Sequence, residues 1–294
     1  MSLWSDIATN ISAASGKPFH CRQQQASGGG CINSTFIVSD NQQCYFVKLN
    51  NAQLSHMFEA EAAGLNQIAA SNSIRVPSVI CSGISGNQSY LVLQHLSFGH
   101  GDKRSHQQLG FDLAQMHQYC SDQFGWQQNN TIGSTPQHNQ QTSDWIEFWR
   151  SERLVFQLQL AANNGYGGQL QKLGEKLIPE LDCFFAGYTP AASLLHGDLW
   201  SGNYAIDADG CPVIFDPAVY FGDREADIAM TELFGGFNRH FYQAYQQALP
   251  LDDGYQIRKT LYNLYHVLNH LNLFGGGYLS QAESMLERLL SEIR

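Results

Sequence analysis

Basic residues are scarce in this chain: 16 lysines and arginines stand against 26 aspartates and glutamates, a net charge of −10. Such a balance lacks the basic patch that a nucleic-acid partner requires, and none is expected. It suits a cationic small molecule, although net charge says little about any one cleft. Paired cysteines are missing too. The seven (Cys21, Cys31, Cys44, Cys81, Cys120, Cys183 and Cys211) are odd in number and scattered, with no Cys-x-x-Cys and no zinc-ligand spacing. Free thiols in a reducing compartment are the expectation. No apolar run approaches the roughly 20 residues of a membrane helix. The start, Met1-Ser2-Leu3-Trp4-Ser5-Asp6, lacks the basic and apolar regions of a signal peptide. A cytoplasmic protein with no membrane partner follows. What is present is 294 residues at 43% hydrophobic content, enough for a sizeable core in one or two domains.

The pattern of elements changes along the chain. Thr35–Val38 and Cys44–Leu49 are short β-rich runs joined by the turn Ser39-Asp40-Asn41-Gln42. A helix is expected over Leu54–Ala70, then a turn at Gly83–Asn87 and a strand over Ser89–Leu96. Beyond Phe98 helical periodicity takes over, at Gln107–Tyr119, Asp144–Leu160, Gln169–Phe185, Ala226–Leu233, Arg239–Leu249, Tyr255–Asn272 and Tyr278–Ile293. Two polar stretches, 127–141 and 163–169, read as loops. This predicts an α+β fold of two lobes: residues 1–96, a small antiparallel sheet with one main helix, and residues 97–294, a larger helical lobe. A nucleotide would lie in the cleft between them.

The run Leu194-Leu195-His196-Gly197-Asp198-Leu199-Trp200-Ser201-Gly202-Asn203, followed by Val213-Ile214-Phe215-Asp216-Pro217, carries the chemistry. Phosphoryl transfer needs a carboxylate to orient the attacking hydroxyl and accept its proton. It also needs oxygen ligands to hold magnesium on the nucleotide phosphates. A polar turn can present Asp198 and Asn203 together, and the strand Pro212–Phe215 returns Asp216 to them. Asp and Asn beside Gly are also ordinary turn residues, and Asp207-Ala208-Asp209-Gly210 reads as a plain hairpin turn.

Upstream lie further candidates in order. Gly28, Gly29 and Gly30 let a backbone approach phosphate oxygens closely, or form a plain flexible turn. Lys48 shares the Phe46 side of its strand, facing either the phosphates or water. Glu61 falls four after Met57, three after Phe58 and four before Leu65, on the buried stripe of its helix. A buried carboxylate wants a cationic partner, and Lys48 is the natural one.

Glycine loop, strand lysine, helix glutamate, Asp-x4-Asn and strand-end Asp is a protein-kinase-like order. His196-Gly197-Asp198 stands for His-Arg-Asp and Asp216-Pro217-Ala218 for Asp-Phe-Gly, with no Ala-Pro-Glu segment. Those departures point to the small-molecule branch of that fold. His196–Asn203, Phe215–Ala218, Gly222-Asp223-Arg224-Glu225-Ala226-Asp227, Tyr45–Lys48, Met57–Leu65 and Asn130-Thr131-Ile132-Gly133-Ser134-Thr135-Pro136-Gln137 closely resemble the fructosamine-kinase (ketosamine 3-kinase) family. The likeness runs over nearly the whole chain.

The resemblance implies ATP- and Mg2+-dependent phosphorylation of a sugar hydroxyl on a ketosamine, free or protein-bound, of ribulosamine, erythrulosamine or fructosamine type. Asp198 would be the catalytic base, Asn203 and Asp216 the magnesium ligands, and Lys48, oriented by Glu61, the phosphate contact. Leu93–Leu96 would form the adenine hinge, with Gln94, His95 and Leu96 at the nucleotide. There the family often has an acidic residue followed by an aromatic, a departure at Gln94-His95. Trp200 either lines the sugar pocket or braces the catalytic loop from the core. Asp223, Arg224, Glu225 and Asp227 are expected to brace that loop as structural charges. Cys31, beside the glycines, is either a redox-responsive thiol or an indifferent residue. Two other functions stay open: a kinase of the same fold acting on an aminoglycoside, a choline-like alcohol or a thiosugar, and a catalytically silent nucleotide-binding regulator.

Overall fold

The computed structural model describes residues 2–28 and 32–293. The expectations at Gly29, Gly30 and Cys31 lie outside the described residues. The N-terminal part is a five-stranded antiparallel sheet of order β1-β2-β3-β5-β4. Its strands are β1 (Gln23–Ser27), β2 (Ser34–Ser39), β3 (Cys44–Asn51), β4 (Val79–Ser85) and β5 (Gln88–Gln94). The two faces of this sheet bury different partners. Tyr45, Val47 and Leu49 on β3 and Tyr90 and Val92 on β5 join Phe19, Ile7 and Ile11 in one core. Leu91 and Leu93 face the other way, into the main core with Phe58, Leu65 and Ile68. Strand alternation thereby puts Lys48 on the same side as Phe46, as expected.

Helix α1 (Leu3–Ser15) supplies Ile7 and Ile11, and helix α2 (Ser55–Ala70) covers the opposite face. Three elements correct the sequence reading here. Neither α1 nor β1 was expected, and β4 runs through Gly83 to Ser85 where a turn was placed. α1 has clear causes. Ser2 caps its first turn, Asp6 favours the N-terminal dipole, and Gly16 ends it at φ 68°. Full burial of Ile7 and Ile11 contributes about 1.5–3 kcal/mol each.

The rest is mainly helical: α3 (Lys103–His117), α4 (Trp145–Phe148), α5 (Phe156–Asn163), α6 (Gln169–Leu177), α7 (Glu225–Leu233), α8 (Arg239–Ala248), α9 (Tyr255–Phe274) and α10 (Leu279–Glu292). The helix expected over Asp144–Leu160 contains a π turn, Trp149–Val155, between α4 and α5. The one expected over Gln169–Phe185 tightens to a 3₁₀ turn from Ile178. The stretch 127–141 is no plain loop, since β7 (Asn130–Ile132) and β8 (Thr135–Gln137) form a hairpin in it, following the short β6 (Cys120–Ser121).

Two further strand pairs carry the site. β9 (Ala192–Leu195) lies between β6 and β12 (Tyr220–Gly222). β10 (Tyr204–Ile206) and β11 (Pro212–Ile214) form a hairpin. Its turn is the one expected at Asp207–Gly210, where Asp207 Oδ1 accepts from the Asp209 and Cys211 backbone N–H groups. That hairpin also reaches the N-terminal sheet. Arg75, just past α2, pairs its guanidinium with Asp207, and the Arg75 carbonyl accepts from Ile214 N–H at 3.0 Å. The connection from the sheet to the helices bonds it as well, through Ala208 N–H to Ser97 O (2.9 Å) and Gly99 N–H to Ile206 O (2.8 Å).

Candidate active site

Four buried residues of β9 deliver the chain to His196, and from there to Asn203 the backbone turns without regular structure. Asp227, on the first turn of α7 and 1% exposed, holds the start of this turn. Its Oδ2 accepts from His196 N–H at 2.7 Å and its Oδ1 from Gly197 N–H at 2.9 Å. Gly197 sits at φ 81°, and a Cβ there would lie 2.1 Å from the Ala218 carbonyl oxygen, so only glycine fits. His196 Nδ1 accepts from Asp198 N–H (3.2 Å), which leaves the proton on Nε2 to donate to Phe215 O (2.9 Å). Burial favours that neutral ring, lowering the pKa of His196.

The turn and the segment around Asp216 are stitched together. Phe215 N–H donates to Asn203 O at 3.0 Å and Ala218 N–H to His196 O at 2.8 Å. Asp216 adopts φ 58°, the left-handed region a non-glycine residue rarely enters. Asn203 spends its amide N–H groups on Asp198, at 2.8 Å to the carbonyl and 3.1 Å to Oδ2. Its Oδ1 is left as the acceptor end. Burial, then the negative charge of Asp216, push the Asp198 carboxyl well above its ordinary value, against the opposing Asn203 amide.

Lys48 joins the other side of the site. Its Nζ lies 2.7 Å from Glu61 Oε1 and 2.5 Å from Asp216 Oδ1, so one ammonium spans the sheet, α2 and the strand-end aspartate. Burial alone would lower the lysine; the charges of Asp216 and Glu61 outweigh it and hold the group above its usual value. The expected Lys48–Glu61 pair is present. Asp216 keeps its side chain 47% accessible.

Other candidates fall as follows. Gly28 ends exposed beyond β1 with open space around it. The strand expected to Leu96 stops at Gln94, whose carboxamide oxygen accepts from Ser78 N–H at 3.4 Å; His95 and Leu96 lie in the connection that follows. Trp200 is 38% exposed, which rules out the core reading. Its ring covers Gly202, where a Cβ would come within 2.4 Å of it.

Of the four charges assigned to bracing the turn, only Asp227 does so. Asp223 accepts from Tyr188 OH (2.9 Å) and Tyr262 OH (2.5 Å). Glu225 pairs with Arg258 (2.7 Å), and Arg224 reaches Tyr245 OH and the Leu249 and Pro250 carbonyls. These three tie the helices to one another. Sequence reasoning missed His117, whose Nε2 lies 3.2 Å from Asp227 Oδ2 and whose Nδ1 meets Tyr245 OH at 2.7 Å. The only sign of it was a histidine on the apolar face of α3.

A family model for fructosamine kinase matches residues 3–292. The chain belongs to the fructosamine kinase family. A Synechocystis protein named "Probable ketoamine kinase" is 50% identical over 288 residues, covering 98% of this chain and 97% of its own. An Arabidopsis thaliana protein-ribulosamine 3-kinase, named as chloroplastic, is 42% identical over 270 residues, 91% of this chain and 82% of that one. Among solved structures, one from Haemophilus somnus 129PT with the provisional name fructosamine-3-kinase superposes at TM-score 0.89. It is 29% identical and covers 98% of this chain and all of the other. An aminoglycoside phosphotransferase variant, solved with AMP-PNP and hygromycin B, gives TM-score 0.62 at 14% identity over 98% of both chains, a likeness of fold. The α+β kinase-like architecture expected from the sequence is therefore the fold of this fructosamine kinase family member.

Proposed function

We propose that this chain is an ATP-dependent kinase that phosphorylates a sugar hydroxyl of a ketosamine, free or protein-bound. The observation that carries the reading is the convergence of Asp198, Asn203, Asp216, Lys48 and Glu61 in one cluster of side chains in a chain of this family. Every position that phosphoryl transfer requires is filled, which favours an enzyme over a silent regulator. We assign residues 1–96 to nucleotide binding and 97–294 to catalysis and the acceptor.

Asp198 is the base. A carboxyl shifted upward by burial and by Asp216 takes a hydroxyl proton more readily than an ordinary aspartate. The Asn203 amide fixes its orientation, and Asp227 and Gly197 fix the backbone that carries it, so positioning is built in before substrate arrives. Lys48 is the phosphate contact, and Glu61 keeps its ammonium aimed into the cleft. The oxygen donors suit a hard cation: Asn203 turns its Oδ1 away from Asp198, and Asp216 is half-accessible. Among the described residues no three His, Cys, Asp or Glu side chains converge as a metal cage, so Mg2+ would rest on Asn203 and Asp216 together with nucleotide phosphates. When bound, it neutralises charge on the transferring phosphoryl group.

Gly28 is assigned to the phosphate side of the site, and the connection at Gln94, His95 and Leu96 to the base of the nucleotide. Trp200, exposed two residues from Asp198, offers an aromatic face to the acceptor. No helix among the described residues is long and apolar enough to cross a membrane. We place the enzyme in the cytoplasm, with the ATP it consumes.

The test is ADP release with Mg-ATP against ribulosamine, erythrulosamine and fructosamine derivatives, with choline and an aminoglycoside as controls. Turnover confined to ketosamines supports the reading. Turnover on the controls overturns the acceptor, and nucleotide binding without any turnover brings the regulator forward.

A further inference from the structure

The hairpin β7–β8 has no part in the chemistry above, yet its buried amides converge on the segment that carries Asp216. Asn130 Nδ2 donates to Val219 O at 2.8 Å, and Gln137 Nε2 donates to Ala218 O at 3.0 Å. The two amides also bond each other, Gln137 Nε2 to Asn130 Oδ1 at 2.8 Å. Their orientation is fixed from outside. Gln137 faces two oxygen acceptors with its amino end, while Tyr265 OH donates to its Oε1 at 2.7 Å. Asn139 Nδ2 donates to Asn130 Oδ1 at 3.0 Å, and Asn139 Oδ1 accepts from the fully buried Arg153 Nη2 at 2.7 Å. Arg153 comes from the π turn and stacks over Tyr220 at 4.2 Å.

From the opposite side α2 closes on the same segment. A Cβ at Gly64 would stand 3.1 Å from Val219 Cγ2 and 3.5 Å from Pro217 Cγ. Gly64 is three residues past Glu61, on the same helical face. Ala218 is thus held by its N–H to His196 O and by its carbonyl to Gln137, while Asp216 before it keeps a left-handed φ. A backbone conformation of that kind persists where its surroundings over-determine it.

We propose that Asn130 and Gln137 are positioning residues for Asp216: their amides lock residues 217–219 so that the carboxylate stays aimed at the metal and nucleotide. The inference rests on the kinase reading above and deepens it. Removing Gln137's donor leaves the Ala218 carbonyl buried and unpaired, and frees the segment to rotate about Asp216.

The experiment reads metal binding by the full chain with ADP bound, so it does not depend on the acceptor. Mn2+ is titrated into the ADP complex and free Mn2+ is followed by electron paramagnetic resonance. ADP affinity in EDTA and the melting temperature are measured alongside. For Gln137→Met the Mn2+ dissociation constant should rise about tenfold, while metal-free ADP affinity stays within twofold. Ser134→Ala, at the exposed tip of the hairpin, should match the parent. Should Gln137→Met not fold, Tyr265→Phe removes only the hydroxyl that orients the amide, and about a threefold rise is expected. Mn2+ affinity unchanged in a folded variant overturns the proposal, as does a parallel loss of Mn2+ and metal-free ADP binding. If the parent binds Mn2+ and ADP but turns over no ketosamine, the acceptor assignment fails and the role of Gln137 is still decided by the titration.

Discussion

Asp227 and Lys48 are both buried charges at the same site, yet they are satisfied in opposite ways. Asp227 accepts from two backbone N–H groups and a neutral histidine, none of which has anywhere else to go. Burial would raise its carboxyl, but His117 and the backbone donors outweigh that and hold it below its usual value. Lys48 is held by two carboxylates, one of them half-accessible. A charge balanced by fixed dipoles gives a rigid support for the base. One balanced by carboxylates, one of them open to solvent, leaves room for a phosphate to approach the same ammonium. In the proposed reading, the turn carrying Asp198 is the fixed side and the Lys48 cluster the accessible one.

The comparison can be broken from either end. Asp198→Asn should lower kcat at least about a hundredfold, with ATP binding nearly unchanged by calorimetry, because the lost group acts on the acceptor proton. Near-normal turnover would remove Asp198 as the base. Asp227→Asn keeps the shape but loses a charged acceptor for two buried N–H groups. About 2–3 kcal/mol of stability should go with it, seen as a lower melting temperature, together with kcat rather than the KM for ATP. Should the KM for ATP move instead, the division between the two sides is wrong.

Acid should loosen the helical part. Burial, and then the charge of His270, push His266 down to about 3, while an unfolded histidine titrates near 6.5. The unfolded chain therefore binds more protons below pH ~6.5, and stability falls as pH falls, by about 2 kcal/mol for this group at pH 5. His117 is lowered by burial too and adds in the same direction. His266→Gln should flatten the melting-temperature curve between pH 7.5 and 5; an unaltered slope would show that His266 does not titrate as described. The smallest effect belongs to the accessible side. Glu61→Gln leaves Lys48 one acid, and the KM for Mg-ATP should rise about fivefold, ~1 kcal/mol, with the melting temperature nearly constant. A large stability loss would make that pair as structural as Asp227.

The difference between these supports also explains what could be read in the sequence. Lys48 and Glu61 were legible because each lies on a strand or helix whose period states its facing. Asp198, Asn203 and Asp216 were legible as a spacing. Asp227 was noticed for its charge, but its partners are backbone groups thirty residues away, and no periodicity encodes them. Gln137 and Asn130 sat in a polar stretch without alternation, so the hairpin was read as loop. α1 carries only short-range signals, the Ser2 cap, Ile7 and Ile11 four apart, and Gly16, each of which an ordinary loop can also hold.

The ties around the β10–β11 hairpin have a mechanical meaning. Arg75 and the Ser97–Gly99 connection both bond to it, so the sheet and the helices share a double-pinned edge there. On the far side, Ile32 is 37% exposed and its Cδ1 lies 3.3 Å from where a Gly133 Cβ would be, an apolar touch with no backbone bond between the two segments among the described residues. The hairpin is thus a backbone-bonded seam, whereas the ties across the site itself, such as Lys48 to Asp216, are made by side chains that a ligand can reach.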